Sequence, residues 1–279
     1  LTSTDTSSTA QPITTRIVTG PHPKDPGGVM LYFGTGKYME VTDNSSSNQQ
    51  TQTFYGLWDD GTRTLPISRG SLLEQKITAE MELVVDDTDG SLRAPTDGEI
   101  PDQVIRVTTD ETEEEGETVS PYAIDWNSHD GWLMELVNHG ESTYDNRGER
   151  VDADPLLRNG RIIFITTLPN ESACSFGGDS FLMELDANDG SRLAFTPFDL
   201  NNDREFSEED YVTITVNNQE ITIPASGRMS REGIIQQPGV LVAGDAEYKY
   251  ASGSAGGIDI TVENPGPLTM GRQSWRQLR

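Results

Sequence analysis

Cysteine is almost missing from this chain. Cys174 is the sole one in 279 residues, so no disulfide can close within it, and the thiol is either free and buried or paired outside the segment. Cations are scarce as well: Lys and Arg number 20 against 46 Asp and Glu, a formal net charge of −26. A surface of that sign repels nucleic acid and anionic membrane, which leaves cations and basic proteins as fitting partners. The three histidines, His22, His129 and His139, stand at no metal-ligand spacing. No apolar run reaches the length of a membrane span, and no phosphate loop, nucleophile elbow or His-Glu zinc motif occurs. A signal peptide and an initiator methionine are absent, since the chain opens Leu1-Thr-Ser-Thr. The expectation is an excised part of a larger exported polypeptide.

What is present reads as β structure. Glycine (27) and proline (15) punctuate short runs of Val, Ile, Thr, Tyr and Phe, and amphipathic helical periodicity is nearly absent. Residues 1–15 are Ser/Thr-rich and aperiodic, and are expected to be a flexible arm; 16–279 form the folded part. Strands are expected at Val29–Phe33, Phe54–Trp58, Leu72–Val85, Arg161–Thr166, Phe181–Asp186, Tyr211–Val216, Glu220–Pro224, Gly239–Ala243 and Ile258–Val262. The acidic stretch from Asp86 to Gly116, densest at Glu111–Glu117, reads as a solvated loop, and the end of the chain, Gly271–Arg279, as a basic tail. The unit Phe181–Asp186, turn Ala187-Asn188-Asp189-Gly190 and return Ser191–Phe195 has the form of the central hairpin of a quinoprotein-like propeller blade.

One segment points to chemistry. From Asp199 to Asp210, Asp199, Asn201, Asp203, Glu205, Ser207 and Asp210 occupy positions one, three, five, seven, nine and twelve of a twelve-residue loop. Calcium takes about six to eight oxygen ligands, and this phase converges them on one point. Asp199, Asn201 and Asp203 would offer side-chain oxygens, Glu205 its carbonyl, Ser207 a direct or water-mediated contact and Asp210 the closing carboxylate. Two positions depart from the usual loop: Arg204 stands where glycine is preferred, and Asp210 replaces a longer glutamate. A plain acidic turn is the competing reading. The four tryptophans, Trp58, Trp126, Trp132 and Trp275, suit packing between strands better than stacking on sugars.

Leu31-Tyr-Phe-Gly34-Thr35-Gly36-Lys37-Tyr38, Gln52-Thr-Phe-Tyr55-Gly56-Leu-Trp58-Asp59, Asp130-Gly131-Trp132, Gly148-Glu149-Arg150, Pro169–Cys174 with Gly177-Gly178-Asp179-Ser180, and Ser274-Trp275-Arg276-Gln277 follow in order. Together they resemble the C-terminal β-propeller of PilY1-type type IV pilus biogenesis proteins, over roughly Val29 to Arg279. The resemblance implies an all-β, distorted or partial quinoprotein-like propeller, here with an EF-hand-like calcium loop whose ligands fall on Asp199, Asn201, Asp203 and Asp210. It implies a non-enzymatic role in pilus biogenesis and surface adhesion, at the pilus tip or cell surface after export through the periplasm. Pilus subunits or minor pilins and the remainder of the chain's own polypeptide would be the partners, with no nucleic acid and no membrane insertion. Two alternatives stay open: a structural or sheath component of another extracellular filament, and a fragment of a quinoprotein-like dehydrogenase. The dehydrogenase lacks support in the residues, because one cysteine cannot supply a vicinal pair.

Overall fold

The structure, a computed structural model, describes residues 3–22, 27–45, 49–62, 65–110, 121–140, 146–172, 176–216 and 219–266. Alternating and continuous apolar runs become strands β1 (Ser3–Thr4), β2 (Ala10–Gln11), β3 (Val18–Pro21), β4 (Val29–Gly34), β5 (Thr53–Asp59), β6 (Leu73–Val85), β7 (Leu92–Arg93), β8 (Gln103–Thr108) and β9 (Gly131–Asn138). They continue as β10 (Leu156–Arg158), β11 (Arg161–Pro169), β12 (Gly178–Asp186), β13 (Val212–Val216), β14 (Gln219–Ile223), β15 (Gly227–Met229), β16 (Gly239–Ala243), β17 (Ala246–Ser252) and β18 (Ile258–Glu263). Three short 3-10 turns complete the set, and no α-helix occurs among the described residues.

Eleven strands form one sheet in the order β10-β11-β12-β15-β8-β6-β9-β5-β4-β3, with β7 beside β6. Pairing is antiparallel except between β6 and β9. The two end strands meet through side chains: a Cβ on Gly20 of β3 would stand 2.5 Å from Leu157 Cδ2 of β10, and Val18 and Leu157 pack on the same interior cluster. The sheet is therefore a nearly closed barrel. Its interior is aromatic, with Phe54 stacked 4.0 Å from Phe164 and 5.9 Å from fully buried Trp132. Gly56 and Gly190 abut the Trp132 indole, where any Cβ would lie 2.4 and 2.3 Å from its atoms.

This architecture corrects the propeller expectation. A propeller needs separate four-stranded blades arranged radially, whereas here the strands share one curled sheet. The hairpin that suggested a blade shows why. Its turn forms, with Gly190 N–H donating to the Asp186 carbonyl. Ser191–Phe195 does not return as a strand; Arg192 N–H instead donates to Thr109 O, and β12 pairs with β11 and β15.

Layers cover the outside of the barrel. Residues 3–11, within the segment read as an arm, form the β1-β2 hairpin, and buried Gln11 donates to Thr51 O and Thr53 Oγ1. Phe198, Leu200, Val212, Ile223 and Ala225 pack on Leu83, Ile105, Ile163 and Leu182 on the other side. The separate sheet β16-β17-β18 lies over β11 and β12 through buried charges: Lys249 Nζ is 2.5 Å from Glu184 Oε1 and also pairs with Glu263, while Arg161 joins Glu184 at 2.9 Å to Glu247 at 3.1 Å.

Candidate functional site: the Asp199 to Asp210 loop

The loop is tied down at both ends by the core. Phe198 bridges to Glu263 of β18 and is buried with Leu200, Asp199 N–H donates to Val262 O, and the Gln103 amide on β8 donates to Leu200 O. On the far side a 3-10 turn, Glu208–Asp210, leads into β13. Ser207 caps that turn, its Oγ accepting from Glu209 N–H, while Asp210 Oδ2 accepts from Ser207 N–H. The loop therefore runs from a bridge through a 3-10 turn to a strand. This corrects the EF-hand-like expectation, which requires a helix on each side.

Within the loop the three aspartates organise backbone. Asp199 Oδ2 accepts from Arg204 N–H at 3.1 Å, Asp203 Oδ1 from Glu205 N–H at 2.7 Å, and Asp210 Oδ1 from Leu200 N–H at 2.7 Å. Asn201 accepts from Asp203 N–H and donates to its carboxylate. Arg204 takes φ = 67° and Asn202 φ = 63°, so the left-handed residue falls where the sequence pattern asks for glycine. For a residue with a Cβ that conformation costs roughly 1–2 kcal/mol.

The electrostatics gather three of the expected carboxylates. Asp210 is fully buried, and burial pushes its pKa up to about 6, with Asp199 adding repulsion. Burial also raises Asp199, with Asp203 the repelling neighbour. Asp199 Oδ1 is buried and has no hydrogen-bond partner. Arg228 on β15, which the sequence reading did not single out, lies within electrostatic range of Asp199 but donates to Thr261 Oγ1. Glu205 and Asp203 are exposed, and the Ser207 hydroxyl is committed to its cap. As the side chains stand, no group of three or more His, Cys, Asp or Glu that could hold a metal ion occurs among the described residues. A calcium shell would have to draw on amide, hydroxyl and carbonyl oxygens beside Asp199 and Asp210. An orphaned buried carboxylate oxygen fits such a group.

The other motifs resolve into structural roles. Glu149 of Gly148-Glu149-Arg150 is buried and pairs bidentately with Arg106 at 2.5 and 2.7 Å. Gly177 and Gly178 open β12 with positive φ, Tyr38 OH donates to Gly177 O, and the Ser180 hydroxyl accepts from Ile235 N–H. Trp58, Trp126 and Trp132 are buried. Cys174, the Glu111–Glu117 run and the tail with Trp275 lie outside the described residues.

Comparison with known proteins finds similar chains. A family model described as "PilY1 beta-propeller domain" matches residues 1–89. The type IV pilus biogenesis factor PilY1 of Pseudomonas aeruginosa strains PAO1 and PAK is 28% identical over 98% of this chain and 21% of its own length. The PilY1 homolog of Xylella fastidiosa is 32% identical over 64% of this chain and 10% of its own. The crystal structure of the P. aeruginosa PilY1 C-terminal domain superposes with a TM-score of 0.68 at 22% identity, covering 95% of this chain and 47% of that one. The chain thus spans about a fifth of the length of the curated P. aeruginosa relatives. These relatives are named for pilus biogenesis. In sequence the chain is similar to PilY1-type type IV pilus biogenesis proteins, and in fold to the C-terminal domain of P. aeruginosa PilY1.

Proposed function

We propose that this chain serves pilus biogenesis and surface adhesion as an extracellular domain that binds other proteins, and that calcium held by the Asp199–Asp210 loop stabilises it. Pilus subunits or minor pilins are the partners that fit, as is the remainder of a longer PilY1-type polypeptide. The pilus role rests on the relatives, whose names carry it. The calcium reading rests on one observation: Asp199 Oδ1 is buried without a partner beside a second buried carboxylate, Asp210. Asp199 and Asp210 would hold the ion, with Asn201 and Asp203 adding oxygens and Glu205 its carbonyl. The ion would supply charge neutralisation and rigidity only.

The test has two arms. Purified protein should melt higher in calcium than in chelator, by an amount that Asp199→Ala and Asp203→Ala remove. At free calcium a hundredfold above Kd, linkage gives about 2.7 kcal/mol. Identical melting with calcium and chelator would retire the calcium reading alone. In cells, deletion of residues 1–279 from the native polypeptide should lower surface piliation and attachment, and restoring them should rescue both. Normal piliation and attachment after deletion would retire the pilus reading.

A further inference from the structure

Three of the motifs that the sequence sets in order meet at one cavity, and no residue of the Asp199–Asp210 loop lines it. The cavity, about 420 Å³, is walled by Gln11 of β2, Lys37 and Asp43 beyond β4, Gln50 and Gln52 ahead of β5, and Arg150. That volume falls within the roughly 300–1,000 Å³ of small-molecule sites. Gly36 makes the junction: its φ is 132°, and a Cβ there would lie 2.4 Å from Arg150 Cβ. The close approach lets Arg150 Nη1 donate to Lys37 O at 2.9 Å, while Nε donates to Gly148 O and the Arg150 backbone bridges to Thr167.

Arg150 lacks a counter-ion. It is only 4% exposed, yet among the described residues it pairs with no carboxylate, and two neutral carbonyls receive its guanidinium. The other buried arginines each hold an acid: Arg106 holds Glu149, Arg161 holds Glu184 and Arg192 holds Asp110. A buried charge without an opposite charge is costly, and burial accordingly lowers the Arg150 pKa. The acid in the same wall is spent. Asp43 accepts from the N–H groups of Met39 and Glu40 and lies 3.4 Å from Lys37 Nζ, so it offsets that lysine and leaves the lining with one net positive charge. Gln52 supplies a second unmet need: it is buried, its Nε2 lies 3.4 Å from Gln50 O, and its Oε1 has no partner. Gln50 donates its amide hydrogens to Asp5 and Thr9 O, so its side chain can only accept. The cavity therefore asks for one negative charge and for hydrogen-bond donors. A simple carboxylate brings no donor, a neutral sugar brings no charge, and a phosphate dianion brings excess charge against Asp43. We propose that this cavity binds an acidic sugar, with its carboxylate on the Arg150 guanidinium and its hydroxyls donating to Gln52 and Gln50.

The test is titration calorimetry of the full chain with glucuronate, galacturonate, glucose, acetate and inorganic phosphate. At least one of the two uronates should bind about tenfold or more tightly than glucose, acetate or phosphate. Arg150→Lys keeps the charge but loses the planar fork that fits a carboxylate, and should weaken uronate binding by about tenfold or more. Gln52→Glu sets a competing carboxylate in the cavity and should abolish the binding with an unchanged far-ultraviolet spectrum. Where Arg150→Lys does not fold, Gln52→Glu and the wild-type ligand series decide. The proposal is overturned if neither uronate binds at millimolar concentration, if glucose, acetate or phosphate binds as tightly as the uronates, or if folded Arg150→Lys or Gln52→Glu binds uronate as wild type does.

Discussion

At the scale of the residue, the most consequential side chains are buried charges. Arg106 lies over the Phe181 ring at 3.5 Å and is held bidentately by Glu149, while Glu80 bridges it to Arg147. Removing Glu149 leaves fully buried Arg106 with only the Glu80 carboxylate, which it shares with Arg147, in a medium that solvates the excess charge poorly. Glu149→Ala should therefore lower unfolding free energy in urea by about 3–5 kcal/mol. Arg16–Asp154, whose arginine is largely exposed, gives the contrast: its loss should cost at most about 1 kcal/mol. Replacing Arg106 and Glu149 together by Met and Leu should recover much of the loss, and a double variant as unstable as Glu149→Ala would refute the stranded-charge account. The sequence marks Gly148-Glu149-Arg150 as a motif but gives no sign of its use. The partner, Arg106 on β8, sits 43 positions away, and only the topology brings the two together.

At the scale of the element, strands were legible wherever apolar runs met Asp, Asn or Gly turns. β4, β5, β6, β11, β12 and β18 stand close to where alternation places them. β8 was not, because Gln103–Thr108 lies inside an acidic stretch whose composition hides a six-residue strand. The Asp199–Asp210 loop was legible down to the left-handed residue at Arg204, though not in what flanks it. Its acid chemistry gives a prediction with a definite sign. Asp210 has a folded pKa of about 6 against an ordinary 3.8, so the folded state holds this proton more tightly than the unfolded chain does. Without calcium, the Asp210 contribution should raise stability as pH falls from 7 toward 4, and Asp210→Asn should flatten that slope. With calcium the order reverses, because the proton competes with the ion: calcium affinity should fall as pH drops through about 6. Melting curves across pH in chelator, for wild type and Asp210→Asn, check the first, and a parallel pair of curves would sink it.

At the scale of the whole molecule, two layers with different chemistry are joined by charge. The barrel presents Arg161 and Glu184 on the outer side of β11 and β12, and the small sheet answers with Glu247, Lys249 and Glu263. Composition hid this, since charged residues at alternating strand positions ordinarily face solvent, and the sequence pattern singled out no strand over Ala246–Ser252. The inward burial of charge follows from what that face meets, a pair of fixed counter-charges on the barrel. Lys249 is the pivot, because it contacts both Glu184 and Glu263, and burial lowers its pKa against the pull of Glu184 and Glu247. Lys249→Met keeps the stem's packing and deletes the charge, leaving Glu184 to Arg161 and Glu263 unpartnered. The small sheet should then detach before the barrel unfolds. Hydrogen exchange should speed in β16–β18 by at least tenfold, which is about 1.4 kcal/mol of lost local protection, while β4, β5 and β9 exchange as before. Glu263→Gln in the Lys249→Met background should restore part of the protection by removing the stranded charge. Uniform acceleration across barrel and sheet alike would mean that the two layers unfold as one unit and that the ionic seam is not the boundary between them.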